Sequence, residues 1–369
     1  MISKKIYIAV TNDLVTDNRV HKVALSLLKS GANVTLLGRK KPNSLTVNRT
    51  YNTKRFKLIF TKGPLFYFEY NLRLFIFLLF HKFDIVVSND LDTLGGSFCA
   101  SKIRNKKLVY DSHEFFTEVP ELYKRNFTKK VWMLIEQLTL PKVKYSYTVS
   151  QSIADTYNKR YGINMKVIRN VPYKNIPVEP SSNNKKLKTI LYQGSLNIGR
   201  GLEHLIDAME FIYNAQLIII GDGDITQELN DQISKKNLQG KVTLKGRIPF
   251  EELSSETKKA DLGVALEENL GLNYYYALPN KLFDYIQSRV PVLVSPFPEM
   301  QKVVNKYEIG TVYDHKNPKL LAEKIQEIFE LKNRYQKWKE NTKKAAEELC
   351  WENEEKILIQ IYSNAGLTF

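Results

Sequence analysis

At 369 residues the chain is too long for one ordinary core, so two domains are expected, and 43% hydrophobic with 11% aromatic content suits packed globular structure. No apolar run approaches the ~20 residues of a membrane-spanning helix, MISKKIYIAV reads as a first strand and not as a secretory leader, and Cys99 and Cys350 lack metal-binding spacing and read as reduced cytosolic thiols. The net charge of +16 is uneven: residues 1–175 carry 30 Lys and Arg against 12 Asp and Glu, residues 176–369 carry 25 against 27, and with no zinc-finger spacing or RNA-recognition signature the basic half suggests an anionic membrane surface or a phosphorylated substrate, not nucleic acid.

In chain order, Lys4–Val10 predicts a strand, TNDLVTDN a polar loop, RVHKVALSLLKSG a helix and NVTLLG a second strand. Val23, Leu27 and Leu28 have the spacing of one helix face. The aromatic-rich stretch Gly63–Phe83 reads as a core helix, or as an interfacial segment bordered by Lys54, Arg55, Lys57, Lys62, Arg73 and Lys82. FDIVVSND, a helix DTLGGSFCASKIR, KLVYDSHE, a helix near Lys129–Leu140 and KYSYTVS continue the alternation. Val171–Lys186, rich in Pro, Ser and Asn, reads as a linker.

The pattern then starts again. KLKTILYQG predicts a strand, SLNIGRG a loop, LEHLIDAMEFI a helix and QLIIIGDGD a strand. KVTLKGRI, ADLGVAL, a helix from Lys281 and VPVLVS follow, with helical stretches Leu320–Leu331 and Asn333–Ser363 closing the chain. Continuous apolar strands alternating with helices predict two doubly wound α/β domains, at 1–172 and 185–335, with the closing helix near 350–369 returning to the first and its Trp351 and Tyr362 serving as core. Ligands of such domains sit beyond the carboxyl ends of the strands.

In YALPNKLFDYI, Pro279 breaks the preceding structure and Asn280 suits a helix N-cap. Lys281 is unusual there, because a cation at a helix N-terminus opposes the macrodipole. The reading is a solvated edge lysine, or a lysine that shares a third, anionic party with the free N–H groups. If Arg200, at the start of the helix after SLNIGRG, converges with Lys281 and Asn280, they can clamp a diphosphate. Asp284, one turn on, suits ribose hydroxyls, or simply the helix dipole.

The order strand-GSLNIGRGL, IIGDG, VTLKGRIP, ADLGV, PNKLFDY and VPVLVS resembles the C-terminal domain of GT-B glycosyltransferases, and of the retaining family 4 enzymes in particular. The first half is similar through TDNRVHKVALSL, the strand-end SND and YDSHE, so the resemblance spans nearly the whole chain. It implies an α/β GT-B fold of two Rossmann-like domains facing a cleft. It also implies transfer of a sugar from a UDP- or GDP-linked donor to a glycan or lipid-linked acceptor in cell-surface polysaccharide synthesis, with retention and without metal or other cofactor. The setting implied is cytoplasmic, peripheral at the inner face of a membrane.

On this resemblance His113 and Glu114 are catalytic; Arg200, Lys281 and Asn280 bind the donor diphosphate; Asp284 replaces the second glutamate of the family's E-x7-E motif; Gly221, Asp222, Gly223, Arg247 and Ile248 border the base; and Asn12, Asp13 and Arg19 face the acceptor. The sequence departs from the family at Tyr276, where the first glutamate belongs, and at Ser195, where relatives place a cation; Glu267 or Glu268 are the candidate replacements for the missing acid. A UDP-sugar 2-epimerase and a non-catalytic nucleotide-binding protein are the rival readings.

Overall fold

The structure, a computed structural model, describes residues 3–15, 17–123, 125–174, 187–314 and 317–367. The chain divides into two compact units, residues 1–170 with 354–369, and residues 171–353. From residue 175 the expected linker lies outside the described residues.

In the first unit, β1 (Lys5–Ala9), β2 (Asn33–Lys40), β3 (Asn52–Lys57), β4 (Ile85–Asn89), β5 (Lys107–Ser112), β6 (Tyr145–Thr148) and β7 (Lys166–Val167) form one sheet in the order β3-β2-β1-β4-β5-β6-β7. Each pairing is parallel. β4 is buried at all five positions, as expected of a central strand covered by helices on both faces. The strand order reverses between β1 and β4, so the loops after those strands diverge and leave a crevice at their carboxyl ends. The closing helix joins this unit: Tyr362 is fully buried, with its hydroxyl 3.3 Å from that of Tyr147.

In the second unit, β8 (Lys188–Gln193), β9 (Ala215–Ile220), β10 (Val242–Gly246), β11 (Leu262–Ala265), β12 (Val292–Val294) and β13 (Gly310–Val312) form a parallel sheet in the order β10-β9-β8-β11-β12-β13. Here the order reverses between β8 and β11. The core joins Ile190, Leu217, Ile219 and Val264 of the strands to Leu205, Ile206, Leu321 and Ile325 of the covering helices.

Two boundaries differ from the sequence reading. The second unit runs on to Asn353, past the expected end at 335, because the helix Lys332–Glu348 buries Trp338 in that core and the Gln287 side chain donates to the carbonyls of Ala346 and Leu349. The expected long helix 333–363 is also two helices, Lys332–Glu348 and Trp351–Asn364, separated at Leu349 and Cys350.

Candidate active site

In the second unit the strand ends are built for close approach. Gly221, after β9, has φ +147°, and a Cβ there would stand 1.8 Å from the carbonyl oxygen of Gly194, after β8. Only glycine allows that contact. Gly194 in turn has φ +135°, and a Cβ on it would press on Lys281 Cε at 3.3 Å. The bare backbone therefore leaves room for the lysine to pass.

Lys281 enters from the helix Asn280–Gln287 and is 7% exposed. The N-cap of that helix is Pro279, not Asn280 as the sequence suggested: the carbonyl of Pro279 already accepts the Leu282 N–H, so Asn280 is the first helical residue. Lys281 Nζ donates to Glu267 Oε1 at 2.8 Å and lies 4.2 Å from the centre of the Tyr192 ring. The Tyr192 hydroxyl is tied to the Ser195 carbonyl at 2.7 Å, which fixes the ring beneath the ammonium. Burial alone would lower the lysine's pKa; attraction to Glu267 outweighs it, and the net shift is upward. Lys281 is thus a buried, charged lysine and not a solvated edge.

Arg200 converges on the same carboxylate, with Nη1 3.6 Å from Glu267 Oε1 and its guanidinium 4.9 Å from the Tyr274 ring. Glu267 is fully buried directly after β11 and becomes the hub of the two predicted cations. Glu268, the other candidate acid, is fixed through its backbone N–H to Gly199. The Asp284 carboxylate is half-buried and accepts from Gln193 Nε2 at 2.9 Å, while Gln193 Oε1 accepts from Thr257. Gly221 N–H donates to the Gly246 carbonyl, which brings the Gly221–Gly223 turn beside the exposed Arg247 and the half-buried Ile248. Asp222 braces the turn by accepting from Gly223 N–H and Thr226 Oγ1.

In the first unit the crevice after β1, β4 and β5 gathers carboxylates. Asp111 accepts from Arg19 Nη2 at 2.8 Å, and its other oxygen lies 3.1 Å from His113 Nε2. Asp90 accepts the His113 backbone N–H at 2.7 Å and stands 3.5 Å from its Nδ1. Asp90 has φ 58° and ψ 172°, a backbone region that costs a non-glycine residue energy and is concentrated at functional sites. Thr11 Oγ1 donates to Asp92 at 2.5 Å.

Burial would lower the His113 pKa, but Asp111 and Asp90 reverse that and raise it to about 9. The ring is therefore a cation at neutral pH, able to donate but not to accept. Asp111 is pushed up by burial and pulled down harder by Arg19 and His113, to about 2. Burial and then Asp90 lift Asp92 to about 7.

Arg19 departs from its expected place. It belongs to the helix Asn18–Lys29, is 4% exposed, and also donates to the Ile168 carbonyl, so it holds Asp111 from within and does not face an acceptor. Asn12 and Asp13 shape their loop: Asn12 Oδ1 accepts the Leu14 N–H, its Nδ2 donates to Asp17, and Asp13 accepts the Val15 N–H. Glu114 is exposed, and its carbonyl accepts from Ser112 Oγ. Among the described residues, no three or more His, Cys, Asp or Glu side chains are grouped to hold a metal ion.

Sequence reasoning left Glu267 and Glu268 open as alternatives and missed the roles of Gln193, Asp90, Asp92 and Asp111. The one available signal was position, because each stands at or just after a strand end.

Two family models match the chain: Glycosyltransferase Family 4 over residues 17–172 and Glycosyl transferases group 1 over residues 175–345. An uncharacterized glycosyltransferase of Methanocaldococcus jannaschii is 28% identical over 48% of this chain and 45% of its own. The chain spans about half the length of the curated relatives it matches. Among solved structures, sucrose-phosphate synthase of Thermosynechococcus elongatus superposes with a TM-score of 0.80 at 18% identity, covering 98% of each chain. Anabaena HepE in complex with UDP-glucose gives 0.76 at 16% identity, covering 98% of this chain and 99% of that one.

Proposed function

We propose that this chain, a GT-B glycosyltransferase resembling glycosyltransferase family 4, moves a sugar from a nucleoside diphosphate donor to the hydroxyl of a glycan or lipid-linked acceptor. The observation that carries this reading is the meeting of Lys281 and Arg200 on Glu267 at the β8/β11 switch point. Two cations against one carboxylate leave a fixed excess of positive charge where doubly wound folds bind ligands. HepE's complex with UDP-glucose supports a uridine diphosphate donor.

In the reaction the bond from the sugar's anomeric carbon to the diphosphate breaks, and a bond to the acceptor oxygen forms. The acceptor's proton passes to a phosphate oxygen of the leaving group. Charge grows on that leaving group, and Lys281 and Arg200, held together on Glu267, are assigned to meet it. With this pair present, the reading requires no metal. Asp284, held by Gln193, is assigned to the ribose hydroxyls and the Gly221–Gly223 turn to the base. Asn280 adds a free N–H of the first helical turn. His113, charged at neutral pH, is assigned as a hydrogen-bond donor to a sugar hydroxyl, with exposed Glu114 beside it. We assign retention of configuration, acceptor recognition by the loop of Asn12 and Asp13, and a place in cell-surface polysaccharide synthesis at the cytoplasmic face of a membrane.

The test is the thermal midpoint of the protein against UDP, GDP and their sugar conjugates, since a ligand that binds only the native state raises the midpoint by mass action. UDP is expected to raise it. Lys281→Ala is expected to weaken UDP binding roughly tenfold to a hundredfold, the value of one charge-assisted hydrogen bond. Absence of any shift near millimolar ligand, or equal UDP affinity in variant and parent, would remove the donor site.

A further inference from the structure

The helix Gly63–Phe80 buries Phe66, Tyr70, Leu74 and Phe77 against the first unit's sheet, as a core helix should. Its opposite face is also apolar. Leu65, Phe68, Leu72, Ile76 and Phe80 follow helical spacing and are all exposed, Phe80 at 81%. The helix Asn126–Thr139 repeats this arrangement: Trp132 and Glu136 are buried, while Phe127, Val131, Leu134 and Leu138 form an exposed stripe, Phe127 at 82%. The two helices meet through Tyr67 and Trp132, whose rings pack edge to face at 5.2 Å. Single exposed apolar residues are ordinary; an exposed apolar stripe on each of two helices that touch through Tyr67 and Trp132 marks an interaction surface.

The charges say what covers it. The only carboxylates of these helices, Glu69 and Glu136, are both buried. Lys62 at the start of the first helix, Lys82 just after its end, and Arg125 and Lys130 at the start of the second are exposed. The surface is therefore apolar with a cationic border and no exposed acid on either helix. Against a second copy related by a two-fold axis, the same border would meet itself, and like charges would repel. A sheet of anionic headgroups over hydrocarbon complements both features at once. No helix among the described residues is long and apolar enough to cross a membrane, so the contact is with the surface of the bilayer.

We propose that the joint face of helices Gly63–Phe80 and Asn126–Thr139 docks on an anionic lipid bilayer, with the apolar stripes at the acyl boundary and the lysines and arginines among the headgroups. This deepens the reading that the acceptor is met at a membrane, and rests on that reading for its purpose.

The experiment is flotation of the full chain with vesicles of phosphatidylcholine alone and of an equimolar mixture with phosphatidylglycerol, at about 0.1 M salt, where surface charge is felt over about 10 Å. The parent is expected to float with the anionic vesicles and to be released as salt rises. A Phe68→Ser, Ile76→Ser, Phe127→Ser, Leu134→Ser variant is expected to lose about a hundredfold in partition, and a Lys62→Gln, Lys82→Gln, Lys130→Gln variant at least about tenfold. Both should keep the parent's UDP-induced midpoint shift, which shows them folded. A parent that stays in the aqueous fraction overturns the proposal, as does equal flotation of all three proteins. So does a parent dimer, seen by sedimentation, that the apolar variant splits. Vesicle binding without any UDP shift in the parent upholds the docking face and rejects the donor reading alone.

Discussion

The two units handle charge at their strand ends in opposite ways. The first lies in the strongly basic half of the chain, yet its crevice collects Asp90, Asp92 and Asp111 around Arg19 and His113. The second lies in the nearly neutral half, yet its crevice collects Arg200 and Lys281 around Glu267. Net charge is set by exposed residues, which act at long range on surfaces and partners. Local charge at a strand end is set by a few buried groups that must compensate one another. The basic surplus of the first half therefore belongs to its surface, and the neutrality of the second half conceals a cationic site.

Removing the hub of each cluster tests this contrast. Glu267→Leu leaves Lys281 buried beside Arg200 with their shared carboxylate gone. The expected loss is about 3–5 kcal/mol of stability, the usual result of breaking one side of a buried pair, read as a fall in denaturant midpoint at unchanged slope. A loss below about 1 kcal/mol would mean that Lys281 relaxes to solvent and that the cluster is not preorganised.

The first unit should respond to pH through His113. The folded pKa of His113, about 9, lies above its unfolded value, so its contribution is fully present below about pH 6.5 and is lost as pH rises through about 9. The stability difference between the parent and His113→Gln should therefore shrink by about 3 kcal/mol across that window. A constant difference from pH 6 to 9.5 would show that the imidazole is neutral, contrary to its placement between Asp90 and Asp111.

Backbone effects are smaller. Gly221→Ala drives a Cβ into the Gly194 carbonyl at a positive φ, and should cost about 2–3 kcal/mol and weaken UDP binding together. Unchanged UDP affinity would separate the turn from the donor site. Asp17 caps the first helix of the first unit by accepting the Val20 N–H, so Asp17→Ala should cost about 1 kcal/mol, seen as a shift of a few degrees in thermal midpoint, and leave UDP binding unaltered.

Much of this molecule was legible in the chain. The repeated strand-loop-helix-strand pattern marks two parallel sheets, because strands buried on both faces must be apolar throughout. Gly194 and Gly221 stand out because glycine after an apolar strand signals a turn or a close backbone approach. Lys281 stands out because it opposes a helix dipole.

The partners of these residues were not legible. Glu267 precedes Lys281 by 14 positions and follows Arg200 by 67, and which of Glu267 and Glu268 turns inward depends on where β11 ends. Arg19 reaches Asp111 across 92 positions, and only the adjacency of β1, β4 and β5 brings them together. The sequence left Gly63–Phe83 open between a core helix and an interfacial segment and gave no sign of the stripe on Asn126–Thr139, since an apolar helix reads alike whether one face or both are covered. The sequence determined which elements form and where charge and glycine stand, because propensity, periodicity and dipole effects act over a few residues. Only the tertiary structure decided which charges neutralise each other and which apolar face stays open, because both depend on contacts between residues far apart in the chain.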